Sequence, residues 1–302
     1  MSFGQITMTG CLISGNSTKA ATRSGGQNGG NGGGIFNGNT LTMINSTVSD
    51  NHASTFEGRG GGIYNTANAL TLTNVTITGN TAYTCCSFQG GQGLHNSNVA
   101  IVRNTIIAGN GIATKPDVTG IFQSQGHNLI GKATPGGDGN NDDQTGFTNG
   151  INGDQVGTLA APIDAKLGPL ADNGGPTPTH KLLSGSPAFD AGDNALAKDA
   201  SNNPLTTDQR GAGRIVNSFT PNVIVDIGAF EWHGGLENIS NKTTNRPAPS
   251  PLPLISSIRD QALPPVVIRR RMRIPGFNQS RIGPQTSAPD LRASRARRSH
   301  FS

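Results

Sequence analysis

The sequence predicts an all-β solenoid, and two repeated phrases predict it. The first is an eleven-residue phrase that occurs four times, as ITMTGCLISGN (6–16), LTMINSTVSDN (41–51), LTLTNVTITGN (70–80) and AIVRNTIIAGN (100–110). The second precedes three of those copies, as Gly34-Ile35-Phe36-Asn37, Gly62-Ile63-Tyr64-Asn65 and Gly93-Leu94-His95-Asn96. Repeats at a period near thirty residues are the signature of stacked units, each burying its apolar face against the next.

Aligned without gaps, the copies form columns. Ile6, Leu41, Leu70 and Ala100 make one, Met8, Met43, Leu72 and Val102 the next, and Ile13, Val48, Ile77 and Ile107 a third. Columns two residues apart within a phrase follow the side-chain period of a strand, not of a helix. The apolar members are aliphatic or β-branched, with Thr and Ser between them, which suits half-buried strands. Like follows like after a full repeat, so the strands stack as parallel coils rather than pair as hairpins. Each rung then sits about 4.8 Å above the last. The expected fold is a single-stranded parallel β-helix, right-handed by the general rule for parallel crossovers.

Each phrase ends in Asn: Asn16, Asn51, Asn80 and Asn110. Stacked Asn amides hydrogen-bond up a column, and Asn tolerates a left-handed backbone at a bend. These four residues are therefore read as a corner ladder. A glycosylation reading competes at Asn45-Ser-Thr and Asn74-Val-Thr, which are acceptor sequons. His95 replaces Phe36 and Tyr64 in its column and reads as a stacked planar side chain. Cys11 shares a column with Ser46, Val75 and Thr105 and reads as a packing residue. Cys85 and Cys86 are vicinal, and a disulfide between them competes with an inert pair.

The chain divides into coils (1–131), a polar excursion (132–158) that leads into a compact closing segment (to residue 232), and a tail (233–302). The charge follows this division. Residues 1–232 carry 11 Lys and Arg against 15 Asp and Glu, whereas 233–302 carry 12 against 3. The tail, with PAPSPLPL, IRRRMRIP and RASRARR, has the Pro, Ser and Arg content of a disordered segment. Its Arg clusters suit an anionic polymer, but no aromatic residue interleaves IRRRMRIP, so specific nucleic-acid binding is not expected. No apolar run is long enough to span a membrane. No signal peptide precedes the first phrase, which is already a strand. A longer secreted protein, with further coils upstream of Met1, is the expectation.

Four short motifs of the closing part, LGPLADNGGPTPTH (167–180), SGSPAFDAGD (184–193), DQRGAGR (208–214) and DIGAFE (226–231), resemble the C-terminal signature of bacterial choice-of-anchor Q proteins. With the coils, the resemblance covers residues 6–232. It implies an extracellular or cell-surface protein whose N-terminal part is a right-handed parallel β-helix of the broad pectate-lyase-like fold. The family name also implies a surface anchor, and no sortase motif follows Trp232. The Gly-Ile-Tyr-Asn phrases are also similar to repeats of polymorphic outer-membrane autotransporter passengers.

Lyases of that fold need Ca²⁺ held by clustered carboxylates and a basic residue beside a uronate. The coils offer only Asp50, Glu57 and Asp117 as acids, too few for the six to eight oxygens of calcium. Asp138, Asn140 and Asp142 alternate like a calcium loop, but the Gly and the terminal Glu of that loop are missing, so they stand only as a Ca²⁺ candidate. The better-defined acids are Asp190, Asp208, Asp226 and Glu231, with Arg210 among them. They read as a structural cap network in which Arg210 pairs with Asp208 or Asp226. The competing reading makes Asp190 and Asp226 an acid/base pair. The expected function is non-catalytic display, adhesion or glycan binding by a monomer, with an extracellular polysaccharide or surface glycan as partner. The alternatives are a polysaccharide lyase or hydrolase whose catalytic coils lie upstream, and a structural stalk or autotransporter passenger.

Overall fold

A computed structural model describes residues 4–19, 30–54, 58–66, 69–83, 90–136, 143–215 and 223–233. These residues are all-β, with no helix, and their strands stack in parallel sheets. The first sheet runs in the order Gln5–Thr9, Thr40–Ile44, Ala69–Thr73, Leu94–Arg103, Val118–Gly126 and Gln144–Thr145, with Ile35–Asn37 and Ile63–Asn65 paired alongside. The second is built from Leu12–Ser14, Thr47–Ser49, Thr76–Thr78, Ile106–Ile107, Leu129–Ala133 and Gln155–Thr158. A third, short sheet joins Ser17–Lys19, His52–Ser54 and Thr81–Ala82. Each sheet pairs strands of successive repeats, an arrangement compatible with a solenoid.

The register follows the columns of the sequence. Ile6 pairs with Leu41, Leu41 with Leu70, Leu70 with Ala100, and Ala100 with Phe122. Ile13, Val48, Ile77, Ile107, Ile130 and Val156 form the matching column of the second sheet. The inward residues of both sheets merge into one core that includes Leu41, Met43, Val48, Leu72 and Ile77. A one-residue slip would turn each strand's apolar side chains to the opposite face, so core burial pins the register. Beyond the phrase repeats, Gln144–Thr145 and Gln155–Thr158 add strands within the stretch expected to be a polar excursion. Phe147 packs on Phe122 there, ring centroids 4.8 Å apart. Strands of two and four residues among Gly, Asn and Asp are too short to show a period.

The four phrase-ending Asn residues hydrogen-bond in series. Asn16 Nδ2 donates to Asn51 Oδ1, Asn51 Nδ2 to Asn80 Oδ1, and Asn80 Nδ2 to Asn110 Oδ1, each at 2.9 Å. The left-handed backbone, however, falls one residue earlier, at Gly15, Asp50, Gly79 and Gly109. At the opposite corner it falls on Asn45, Asn74 and Asn104, with φ between 45° and 51°. Asn thus does two separate jobs at two corners, amide stacking at one and positive φ at the other.

The Gly-rich phrase serves the same ladder. A Cβ at Gly62 would come within 2.7 Å of the Gly93 carbonyl oxygen and about 3.0 Å of the Asn80 side chain. Gly34 and Gly93 face Asn51 and Asn110 in the same way. The two sequence phrases are therefore two halves of one contact, a glycine column packed on an amide column. Asn80 is fully buried, and its side chain also donates to the carbonyls of Val48 and Thr78. Asn80→Ala strands several buried partners, each costing about 1–3 kcal/mol. We expect a loss of about 2–4 kcal/mol in urea denaturation, and a loss below 0.5 kcal/mol would refute the ladder's role in stability.

The closing segment lies along the flank of the second sheet rather than over an end of the stack. Thr177 donates to the Gly10 carbonyl at the first rung, and Gln155 donates to the Pro187 carbonyl at the last. Between them Thr47 bonds Gln209 at 2.6 Å, Ser49 pairs with His180 at 2.7 Å, and Ala229 N donates to Thr76 Oγ1 at 3.0 Å. Gly228 touches the sheet so closely that a Cβ there would lie 2.7 Å from Ile106 Cδ1, and its φ is 101°. This explains the glycine of DIGAFE.

Candidate functional site

Two places on the described surface and interior gather chemistry: a groove on the outer face of the first sheet, and an ionic network under the closing segment. The groove has a volume of about 210 Å³ and is lined by Thr42, Ile44, Thr71, Arg103, Asp199 and Asn202. Thr42 and Thr71 are paired neighbours on successive rungs. Arg103 stands where the neighbouring strand carries Thr73. Its Nε donates to Thr73 Oγ1 at 2.8 Å and its Nη1 to Gln125 Oε1 at 3.0 Å, so the guanidinium is held flat along the sheet. Partial burial lowers its affinity for a proton, yet an arginine remains charged throughout the physiological range.

The far wall of the groove is a turn built on Asp199. Its Oδ1 accepts the backbone NH groups of Ser201 and Asn203, and its Oδ2 accepts Asn203 Nδ2. Those bonds from Asn203 hold its carboxyl below the ordinary range. A carboxylate kept ionised this way is an acceptor and not a general acid. The Thr and Ser row of the second sheet is closed to a ligand: Thr47, Ser49 and Thr76 are buried under the closing segment.

The ionic network contains Asp208, Arg210, Asp226 and Glu231, and also Arg214. Arg210 pairs with Asp208 at 2.8 Å, not with Asp226, and its guanidinium lies 3.7 Å over the Phe230 ring. Arg214 is fully buried and pairs with Glu231 at 3.3 Å. It also donates to Asn45 Oδ1 at 2.8 Å and to the carbonyls of Gly228 and Ala229. Asp226 accepts the backbone NH groups of Asp190 and Trp232, each at 2.7 Å. Burial pushes Asp226 up to about 7 and Glu231 up to about 9, with neighbouring carboxylates adding to the shift. Of Asp190, only the backbone NH meets Asp226 in these bonds. The arrangement ties the closing segment to itself and, through Arg214 and Asn45, to the strand stack.

Arg214 escaped the sequence reading although it closes the motif DQRGAGR. The available signal was a second Arg four residues after Arg210 in a Gly-rich phrase. Arg103 also escaped, and its signal was a charge in a column otherwise filled by Thr and Ile. The sequons Asn45 and Asn74 are 3% and 0% exposed, which places both amides out of reach of a glycan in the folded chain. Ring stacking of Tyr64 on His95 is observed, with centroids 5.1 Å apart, and burial lowers His95 to about 4.

Among the described residues no three His, Cys, Asp or Glu side chains come together as a metal site, and no helix is long and apolar enough to cross a membrane. The Ca²⁺ candidate Asp138, Asn140 and Asp142 lies outside the described residues, as do Cys85, Cys86 and nearly all of the basic tail. Cys11 is a free thiol at the corner beside Ser46, whose hydroxyl accepts from the Cys11 NH. Comparison with known proteins returns no matching family model, no matching curated protein and no matching solved structure.

Proposed function

We propose that this chain is a right-handed parallel β-helix of the choice-of-anchor Q type, an extracellular protein that binds glycan on the outer face of its first sheet without catalysis. The observation that carries the reading is the groove, where Thr42, Thr71, Arg103 and Asp199 line one polar trough. Hydroxyls and a fixed guanidinium match the donors and acceptors of a sugar chain, and the rung spacing repeats them along the face. Glycosidases use a pair of carboxylates across the scissile bond, and Asp199 is the one acid among the residues that line this trough.

Neutral and acidic polysaccharides, titrated against the protein while new reducing and unsaturated ends are monitored, test the reading. The expected result is saturable binding with no new ends, and about a tenfold loss of affinity in Arg103→Ala, since a charge-assisted hydrogen bond contributes about 1.5–3 kcal/mol. New chain ends would instead support an enzyme. Silence across the panel would support a stalk.

A further inference from the structure

The groove of the first sheet has more hydrogen-bonding capacity than its own residues use. Arg103 gives Nε to Thr73 Oγ1 and Nη1 to Gln125 Oε1, which leaves Nη2 without a protein acceptor. Among the described residues it forms an ion pair with no carboxylate. Asp199, on the far wall, does not take that role, because both of its oxygens accept donors of its own turn. The hydroxyls of Thr42 and Thr71 and the side-chain amide of Asn202 also line the groove without a protein partner. Thr73 holds the same column as Arg103 one rung earlier, so stacking the rungs asks for no charge there.

These unused groups come from three sides. Thr42 and Thr71 stand on the floor, on successive rungs about 4.8 Å apart. Arg103 closes one end, where its bonds to Thr73 and Gln125 fix the guanidinium. Asn202 belongs to the Asp199 turn on the far wall, at a φ of 66°, which Asn accepts more readily than most residues. The volume of about 210 Å³ lies below the roughly 300–1,000 Å³ of pockets that enclose a whole ligand. The groove therefore fits one substituted unit of a longer molecule.

We propose that the groove takes a tetrahedral oxyanion ester, a sulfate or a phosphate, carried by the glycan, with Arg103 Nη2 as its cationic contact. The proposal rests on the glycan reading of this same groove and names the class of glycan. A neutral sugar would leave the charge of Arg103 without a partner, whereas a hydrogen bond to an ionised acceptor is the stronger kind. Thr hydroxyls and the amide NH₂ of Asn202 can donate to the same group. Donors on three sides suit oxygens that spread as a tetrahedron. A planar carboxylate holds its two oxygens in one plane and meets at most two of those sides.

The test follows the amide NMR signals of Thr42, Thr71 and Asn202 while D-glucose, its primary sulfate ester, its primary phosphate ester and D-glucuronate are titrated separately. Signals at those residues report the groove and not the basic tail. At least one ester is expected to bind at least tenfold more tightly than D-glucose, and the tighter of the two tells sulfate from phosphate. Arg103→Ala should remove that gain. Asn202→Asp keeps the size of an exposed side chain and sets a carboxylate against the ester. It should weaken ester binding at least fivefold, and it decides should Arg103→Ala fail to fold. D-Glucose binding as tightly as both esters overturns the proposal and leaves the glycan reading standing. D-Glucuronate matching the tighter ester, or equal ester affinity in Asn202→Asp, also overturns it. No shift from either ester at millimolar concentration overturns it too, and a polysaccharide panel that is silent as well removes the glycan reading with it.

Discussion

Arg214→Ala is expected to destabilise the fold by about 3–5 kcal/mol, because it deletes the charge-assisted hydrogen bonds of a buried cation, each contributing about 1.5–3 kcal/mol. Arg214 is fully buried and joins three things at once: the Glu231 carboxyl, the carbonyls of Gly228 and Ala229, and Asn45 Oδ1. Its removal takes the donor from Asn45 Oδ1, leaves Glu231 Oε2 with the Asp226 NH alone, and opens a void the size of a guanidinium. Arg214→Lys should not rescue, because one ammonium cannot reproduce a planar fork that serves acceptors on several sides. Arg210→Ala should cost less, since the backbone NH groups of Arg210, Ala212 and Glu231 still satisfy Asp208. Urea denaturation measures the difference, and the melting temperature of Arg214→Ala should fall by about 10 °C. Equal stability of Arg214→Ala and the parent would remove the network from any account of how the closing segment is held.

The same residue marks what the sequence could and could not disclose. Columns such as Ile13, Val48, Ile77 and Ile107 were legible because a repeat places equivalent residues at a constant spacing. The serial bonding of Asn16, Asn51, Asn80 and Asn110 was legible for that reason, although its supposed left-handed backbone belongs to the neighbours. Arg214 meets Asn45 across 169 residues of sequence. No periodicity relates the two, so nothing in the chain announced that the closing segment runs along the second sheet. That placement also hides the Thr and Ser row of that sheet. Asp117 follows Asn110 by only seven residues, which is no repeat spacing, so its place at the ladder's end was invisible too. Arg103 was readable as an exception in its column, but the turn of Asp199 that makes a groove beside it comes from a distant part of the chain.

Stability should fall as pH rises from 6.5 to 9, the reverse of ordinary acid unfolding. Three carboxyls, those of Asp208, Asp226 and Glu231, face two guanidiniums, Arg210 and Arg214, and Asp190 adds negative charge beside Asp226. One carboxyl therefore lacks a cation of its own. Burial raises Glu231 to about 9 from an ordinary value of 4.5, and raises Asp226 to about 7. A raised carboxyl holds its proton in the folded chain after the unfolded chain has released it. Its contribution is complete below the unfolded value and is lost as pH climbs to the folded one. His95, lowered to about 4 by burial, has the opposite slope but acts only below its unfolded value of 6.5. Asp117, raised to about 6, has finished by then. Above pH 6.5 Glu231, the carboxyl raised furthest, carries most of the slope, with Asp226 contributing to about pH 7. At 1.36 kcal/mol per unit, the loss by pH 9 reaches about 3 kcal/mol. Urea midpoints at pH 6.5, 7.5 and 9 should decline in that order, and Glu231→Gln should flatten the decline. A midpoint that rises across this window, or one that Glu231→Gln leaves equally steep, would mean that Glu231 is ionised in the folded chain and fully neutralised by Arg214.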